Sequence, residues 1–238
     1  MAIGICKLCG QSKNLINAHI IPASFWSVGS KPLAMFSDIN GAKPRKSPIG
    51  IYDSNILCDD CDNELGKLDQ YALENLIRKS GTIDFSFDGV SKKYTSIDVG
   101  KIHNFILSVA WRASKSKHDF YAEIVLGPYE DKFGEAFKFL YTSSLKFEIF
   151  VAEFDTSVLP YLQPKSVRVD NVNGVLLYLG RFKIFVKTDQ RTLHNTIGSP
   201  LLQDGDKIIS SVESWATSRE KQMANRILQK NPRPKFWK

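Results

Sequence analysis

Several common functional signatures are missing from this sequence, and each absence excludes a class of protein. No Gly-rich run ends in Gly-Lys-Ser or Gly-Lys-Thr, and no G-x-G-x-x-G is present, so the P-loop and the dinucleotide-binding loop are excluded. His19 is not followed by x-Glu and no G-x-S-x-G elbow occurs, which argues against a zinc deaminase and an α/β-hydrolase.

Long apolar runs are also absent. No run approaches the length needed to cross a bilayer, and residues 1–6 lack the basic stretch and apolar core of a secretory signal. We therefore expect a cytoplasmic protein that makes no membrane contact. The composition is that of a globular protein, 43% hydrophobic and 24% charged. Lysine and arginine number 32 against 25 acids, a balance that favours an anionic partner, with nucleic acid first.

Cysteine is scarce, but its placement is informative. The chain has only four cysteines, and all of them belong to two C-x-x-C pairs, Cys6–Cys9 and Cys58–Cys61. In a reducing cytosol such pairs indicate a bound metal ion more often than a disulfide, and four thiolates complete a tetrahedral zinc site. A redox-active C-x-x-C is the alternative. We predict a structural zinc bound by Cys6, Cys9, Cys58 and Cys61.

Hydrophobic periodicity predicts an α+β protein. A long loop rich in Gly, Pro, Ser and Lys is expected over 28–55. A strand is expected over 83–87, followed by a turn at Asp88-Gly89. The predicted helices cover 62–79, 101–116, 130–143 and 208–229. The predicted strands cover 146–154, 175–179 and 182–188, the last two joined at Gly180-Arg181 in an antiparallel sheet.

The same pattern suggests a division of the chain near residue 80. We predict a zinc-binding module over 1–80, an α+β domain with an antiparallel sheet and helices over 81–230, and a basic irregular tail over 231–238. The zinc would clamp the first of these into one small unit.

The N-terminal motifs resemble those of a known family. Cys6-x-x-Cys9, then His19-Ile-Ile-Pro22, then Asn55-Ile-Leu-Cys58-x-x-Cys61 is similar to the zinc-containing HNH endonucleases, also called the His-Me finger or ββα-metal group, over about residues 5–70. The resemblance implies a treble-clef-like ββα module. It also implies a metal-dependent endonuclease that hydrolyses phosphodiester bonds of DNA, or less often RNA, in restriction or phage defence.

The resemblance also assigns roles to individual residues. His19 matches the general base, Asn55 the residue that orients it, and Asp62 and Asn63 the position that contacts a catalytic magnesium or manganese ion. An imidazole can accept a proton near neutral pH. Alternative interpretations are a packing or metal-bound histidine for His19, a turn asparagine for Asn55, and a helix cap for Asp62.

Ala18 departs from the family pattern, because many members have Asp, Glu or His directly before the base. It favours an alternative function: a catalytically degenerate zinc scaffold that binds nucleic acid or a partner protein without cleavage. A subunit that acts with a partner protein is a further possibility.

Three basic stretches are candidate nucleic-acid contacts. Lys43, Arg45 and Lys46 lie in the predicted loop and can meet phosphates without reading bases. The windows 101–118 and 219–238 are also rich in Lys and Arg. For 101–118 a solvated helix face is the favoured explanation; for 219–238 a solubilising end, or a segment that docks on the protein itself, is favoured over contact with nucleic acid.

Overall fold

The computed structural model describes most of the chain. The residues it describes are 3–28, 31–32, 34–36, 44–46, 49–78, 85–138, 147–156, 161–194, 198–201 and 207–230.

Within these residues the chain forms helices and strands in mixed order. The helices are α1 (Asp59–Ala72), α2 (Val99–Lys115), α3 (Tyr129–Lys138) and α4 (Arg219–Lys230), with a π-helical extension of α1 over Leu73–Arg78 and short 3-10 turns at Ala23–Trp26, Asp119–Tyr121 and Trp215–Thr217. The strands are β1 (Ile3–Ile5), β2 (Ser12–Asn14), β3 (Ala18–His19), β4 (Ser27–Val28), β5 (Lys31–Pro32), β6 (Ala34–Phe36), β7 (Arg45–Lys46), β8 (Tyr52–Asp53), β9 (Phe85–Phe87), β10 (Ser91–Thr95), β11 (Ile149–Phe154), β12 (Tyr161–Leu162), β13 (Lys165–Val169), β14 (Val172–Leu179), β15 (Phe182–Lys187), β16 (Ser199–Pro200) and β17 (Lys207–Glu213).

The largest sheet is mixed, whereas the sequence predicted an antiparallel one. Its strands follow the order β13-β14-β15-β11-β17-β10-β9, and β16 also pairs with β11. Neighbouring strands are antiparallel except for β11 and β17, which are parallel. The parallel pair is possible because about 50 residues separate the two strands, enough for a long crossover connection.

The two faces of this sheet carry separate cores. Along β14, Val175 and Leu177 point into the larger core, and Leu176 and Tyr178 point into the smaller one. This alternation follows from the two-residue period of a strand. The larger core also contains α1, α2, α3 and the cysteine pairs. The smaller core lies under α4. The cysteine cluster and α4 are therefore on opposite faces of the sheet.

The N-terminal region combines a hairpin, a short two-stranded ladder and a helix. β1 and β2 form a hairpin, β3 pairs antiparallel with β8, and α1 follows five residues after β8. The predicted loop over 28–55 is wrong in part, because short strands β4 to β8 form within it. β4 pairs with β5, β6 pairs with β7 and β12, and β8 pairs with β3, so segments of two or three residues acquire ladders without an apolar pattern of their own.

Most predicted elements are confirmed within one to three residues. α2 matches 101–116, α3 matches the described part of 130–143, and β11, β14 and β15 match the three predicted strands. The turn at Asp88-Gly89 joins β9 to β10. The helix predicted at 62–79 begins earlier, at Asp59.

The helix predicted over 208–229 is wrong in its first half. Residues 207–213 form β17, and the helix begins only at Arg219. Ile208, Ile209 and Val212 are β-branched and gain pairing partners on β10 and β11, so strand formation wins over their helix-like spacing.

Two further predictions concern residues that the structure does not describe. The boundary near residue 80 falls at residues 79–84, and the predicted tail covers 231–238; both lie outside the described residues and stay predictions. Among the helices that are described, none has the length and apolar character needed to cross a membrane.

Candidate functional site

The four cysteines converge on one point. Cys6 and Cys9 lie in the turn between β1 and β2, and Cys58 and Cys61 lie at the start of α1. The four Sγ atoms all lie within 4.8 Å of one another, and Cys9 Sγ is 4.0 Å from Cys58 Sγ. None of the four is in a disulfide. The sequence prediction that two distant pairs meet is confirmed.

These distances suit a tetrahedral ion. With zinc–sulfur bonds of about 2.3 Å, the sulfur–sulfur edges of a tetrahedron are about 3.8 Å, so a small inward movement of the thiols completes the site. The surrounding backbone fixes the pairs: Lys7 N donates to Ile56 O at 2.8 Å, and Leu15 bridges to Cys58. The cluster can hold a metal ion such as zinc.

The thiols sit in unequal electrostatic surroundings. Burial raises the pKa of Cys6, but backbone N–H groups of Cys9, Cys58 and Leu8 outweigh it and bring the pKa to about 7. Burial raises the pKa of both Cys58 and Cys61, and the neighbouring thiols raise that of Cys61 further. Four clustered thiols cannot all ionise without a cation, which is the electrostatic setting a metal ion relieves.

His19 lies at the end of β3, partly exposed, with its neighbour Ala18 fully buried. Its Nε2 is 2.9 Å from the Ile49 carbonyl oxygen. A carbonyl can only accept, so in the neutral ring Nε2 carries the hydrogen and Nδ1 keeps the lone pair. The Tyr52 ring lies edge-on, with 6.2 Å between ring centroids. The geometry thus leaves one ring nitrogen of His19 able to accept a proton.

Asn55 is hydrogen-bonded to Asp53, two residues earlier in the chain. Its side-chain amide and its backbone N–H both donate to Asp53 Oδ1, at 3.0 Å and 2.9 Å. The His19 ring is hydrogen-bonded to the Ile49 carbonyl, and the predicted orienting role of Asn55 stays a prediction. Asp53 is buried and also accepts from Lys117 N and Ser116 Oγ. Burial raises the pKa of Asp53, but these four hydrogen bonds prevail and hold it below its usual value.

The two candidate metal contacts differ in position. Asp62 lies half-buried in the first turn of α1. Burial raises the pKa of its carboxyl above the usual value, while the positive charges of Arg112 and His19 oppose the rise. Asp62 is therefore near enough to Arg112 and His19 for its pKa to respond to both. Asn63 is exposed and donates to Asp59 at 3.2 Å. The cap of α1 is Cys58, not Asp62.

Arg112 connects this module to α2. Its guanidinium is 1% exposed and donates to both carboxylate oxygens of Asp69, at 2.9 Å and 2.6 Å. It also donates to the His19 backbone carbonyl at 3.0 Å. In the sequence, Arg112 belongs to the basic window 101–118, which is explained as a solvated helix face; its partners on α1 and β3 are not detectable from local spacing. Ile49 and Asp53 were missed for the same reason.

The structure describes the three predicted loop cations only in part. Lys43 lies outside the described residues, and Arg45 and Lys46 are described only as the backbone of β7, which pairs with β6. Their predicted contact with phosphates stays a prediction.

No protein-family model, no curated protein and no solved structure matches this chain. The resemblance to HNH endonucleases therefore rests on the sequence motifs, and the structure adds the convergence of the four cysteines.

Proposed function

We propose that this protein is a metal-dependent endonuclease that hydrolyses phosphodiester bonds of DNA, with RNA as the less favoured substrate. One observation carries the proposal: the Ile49 carbonyl holds Nε2 of His19 at the end of β3 and leaves Nδ1 as a proton acceptor, while Asp62 in the first turn of α1 is near enough for its pKa to respond to this histidine. A proton acceptor and a carboxylate that can hold a metal ion are the minimum that metal-assisted phosphodiester hydrolysis requires.

The anchored ring of His19 supports a role as general base. Because Nε2 is held by the Ile49 carbonyl, Nδ1 is available to take a proton from an attacking water. The backbone of His19 is held as well, since Arg112 donates to its carbonyl. Such positioning restricts the ring to one orientation, which is a condition for efficient proton transfer.

Asp62 is the residue that would contact a magnesium or manganese ion. Magnesium keeps several waters and uses one or two carboxylates together with substrate phosphate, so a single carboxylate is compatible with it. The ion would supply positive charge to the phosphate as negative charge develops. The half-buried setting of Asp62, with its raised pKa, leaves the carboxyl short of solvation that such a cation would restore.

In this proposal the four-cysteine cluster binds a structural zinc ion. Cys58 is the N-cap of α1 and Cys61 lies in its first turn, so an ion there would fix the end of the helix that carries Asp62. This ion would support the site without touching the substrate.

A second candidate function is binding of nucleic acid or a partner protein without cleavage. Ala18 is fully buried and provides no ligand. In the part of the chain that the structure describes, the four cysteines form the only group of three or more potential metal ligands. Both observations favour a degenerate scaffold over an enzyme.

A plasmid relaxation assay distinguishes the two functions. Supercoiled DNA and a structured RNA are incubated with the protein in magnesium or manganese, beside His19→Ala, Asp62→Asn and the matched control His194→Ala, which changes an exposed histidine. Loss of a general base lowers the rate by about 10²–10⁴-fold. We expect His19→Ala to abolish cleavage and His194→Ala to leave it intact. Equal cleavage by both variants refutes the catalytic assignment, and binding without cleavage by the parent protein favours the scaffold.

A further inference from the structure

A cleft lies on the face of the main sheet opposite the cysteine cluster, between strands β13 and β14 on one side and helix α4 on the other. Its volume is about 870 Å³, within the range of ligand-binding pockets. Its floor is the outer side of the smaller core and is built by aliphatic side chains: Val167, Val169, Leu176, Met223 and Ile227. Val167, Val169 and Met223 are partly exposed, so the floor presents apolar surface to whatever enters the cleft.

One wall of the cleft carries three exposed cations of α4, Arg219, Arg226 and Lys230. They are seven and four residues apart along the helix. At about 100° per residue they fall within about 40° of one another around the helix axis, and at about 1.5 Å per residue they extend over about 16 Å. They therefore form a single line along the cleft, which we call the basic row.

The acids of the cleft do not neutralise the basic row. Glu213 and Glu220 are both held by Lys183, at 2.9 Å and 3.2 Å, and Tyr178 also donates to Glu220 at 3.1 Å. Among the residues that the structure describes, no ion pair involves a member of the basic row. The row therefore offers three positive charges to an outside anion, beside an apolar surface.

The spacing of the basic row matches a helix. A second helix laid along α4 has the same period, so acidic side chains seven and four residues apart on it fall opposite the three cations. Met223 and Ile227 lie four residues apart on α4 and line the floor next to the row. Apolar contacts at this spacing with charges on their flank are the arrangement by which paired helices select a partner, and an amphipathic helix binds a groove through the same spacing.

The floor suits aliphatic side chains better than nucleobases. Unpaired bases stack on exposed aromatic rings, but Tyr178, which lines the cleft, is 6% exposed and its hydroxyl is bound to Glu220. The C-terminal segment 231–238 is an unsuitable occupant, because it carries three more cations and no acid. The occupant that fits is therefore both acidic and aliphatic.

From these features we infer that the cleft binds an acidic amphipathic helix of a partner protein, with its apolar side chains on the floor and its carboxylates on the basic row. The site requires binding only, so it is independent of the cutting site proposed above.

A designed peptide tests this site on the full chain. The probe is a labelled helix of three heptads, about 21 residues, with leucine at the two core positions and glutamate at the flanking positions. A second peptide has lysine in place of glutamate, and a third has the composition of the first in scrambled order. Fluorescence anisotropy should show the glutamate peptide binding about tenfold or more tightly than either, because only it combines the apolar stripe with the matching charge. No nucleic acid is present, so failure of the proposed nuclease activity leaves this measurement unaffected.

A charge exchange locates the binding on α4. Arg226→Glu combined with Lys230→Glu turns two attractions into repulsions, so it should weaken the glutamate peptide about tenfold and tighten the lysine peptide by a similar factor. Both residues are exposed, so the exchange leaves the packed side of α4 intact. Lys132→Glu combined with Lys207→Glu makes the same change in net charge at exposed positions outside the cleft. Equal effects in the two pairs would show diffuse attraction, and they would overturn the proposal, as would absence of the gain for the lysine peptide.

A second pair of variants tests the apolar floor. Met223→Gln keeps the length of the side chain but makes it polar, whereas Val125→Gln makes a similar change at an exposed apolar residue that does not line this cleft. We expect a loss of affinity of about fivefold for the first and of less than about twofold for the second. Equal losses contradict a role for the floor.

Competition separates a helix from other polyanions. Unlabelled glutamate peptide should displace the probe, whereas single-stranded DNA and poly-glutamate at equal charge should do so about tenfold less well, since neither carries an aliphatic stripe. Magnesium is omitted so that the DNA stays intact. Equal displacement by single-stranded DNA would identify a nucleic-acid site instead, and no binding of the glutamate peptide refutes the assignment.

Discussion

The buried pair between Arg112 and Asp69 gives the sharpest prediction for stability. The Arg112 guanidinium is 1% exposed, and the Asp69 side chain is 16% exposed. Arg112→Ala leaves the carboxylate without its cation and the His19 carbonyl without this donor. Breaking a buried pair costs about 3–5 kcal/mol, and an unsatisfied buried carbonyl about 1–3 kcal/mol. These contributions overlap and Asp69 keeps some solvent, so we expect a loss of about 4 kcal/mol.

Urea unfolding with zinc in excess measures this loss. Arg112→Lys restores the charge but not the two-pronged contact, so it should recover only part of the stability. The double variant Arg112→Ala with Asp69→Ala should be more stable than the sum of the single losses predicts, with a coupling of about 2–3 kcal/mol. Lys67→Ala, which breaks an exposed pair with Glu64, serves as the control and should change stability by under about 0.5 kcal/mol. A loss below about 1 kcal/mol for Arg112→Ala would refute the argument.

Three other predictions test the remaining parts of the N-terminal region. Elemental analysis should find about one zinc per chain, and a chelator should lower the thermal midpoint because metal binding contributes to folding; a metal-free, equally stable protein contradicts the site. Gly50→Ala should cost about 2 kcal/mol or more in urea unfolding, because Gly50 has φ +76° and an added Cβ would lie 2.5 Å from the Trp26 ring. An unchanged midpoint in urea would contradict this packing. The folded pKa of Asp53 lies below its usual value, so its ionised form stabilises the fold above about pH 4 and that stability is lost as pH falls through the lowered pKa. The stability difference between the parent protein and Asp53→Asn should therefore be largest near pH 7 and shrink in acid; a difference that grows in acid contradicts the sign.

The local sequence pattern was enough to predict helices and strands whose contacts repeat along their own segment. The stripe of apolar residues in 101–116 predicts α2 because a buried helix repeats its contacts every three to four residues. The paired cysteines predict their own convergence because one ion satisfies both pairs. The β14–β15 hairpin follows from two apolar runs around Gly180, which adopts a φ of +60°.

Contacts between distant segments could not be predicted in this way. Arg112 is 43 residues from Asp69 and 93 from His19, and nothing in its own helix distinguishes it from Lys115 on the same polar face. Spacing alone indicates which face of a helix is polar. It does not indicate whether a second helix brings a carboxylate to that face. Arg112 is buried and paired, rather than solvated, because α1 brings Asp69 to it.

Two long-range contacts hold α1: the cysteine cluster, and the pair between Arg112 and Asp69. Both affect the position of His19. The cysteine cluster holds the first turn of α1 through Cys58 and Cys61, and Arg112 holds Asp69 about two turns further along. The strand that carries His19 is joined to the second attachment through its backbone carbonyl. Because the relative position of His19 and Asp62 depends on both attachments, loss of either should loosen the same pair. Metal removal should therefore destabilise Arg112→Ala less than it destabilises the parent protein, since the variant has already lost part of the order that the ion supports.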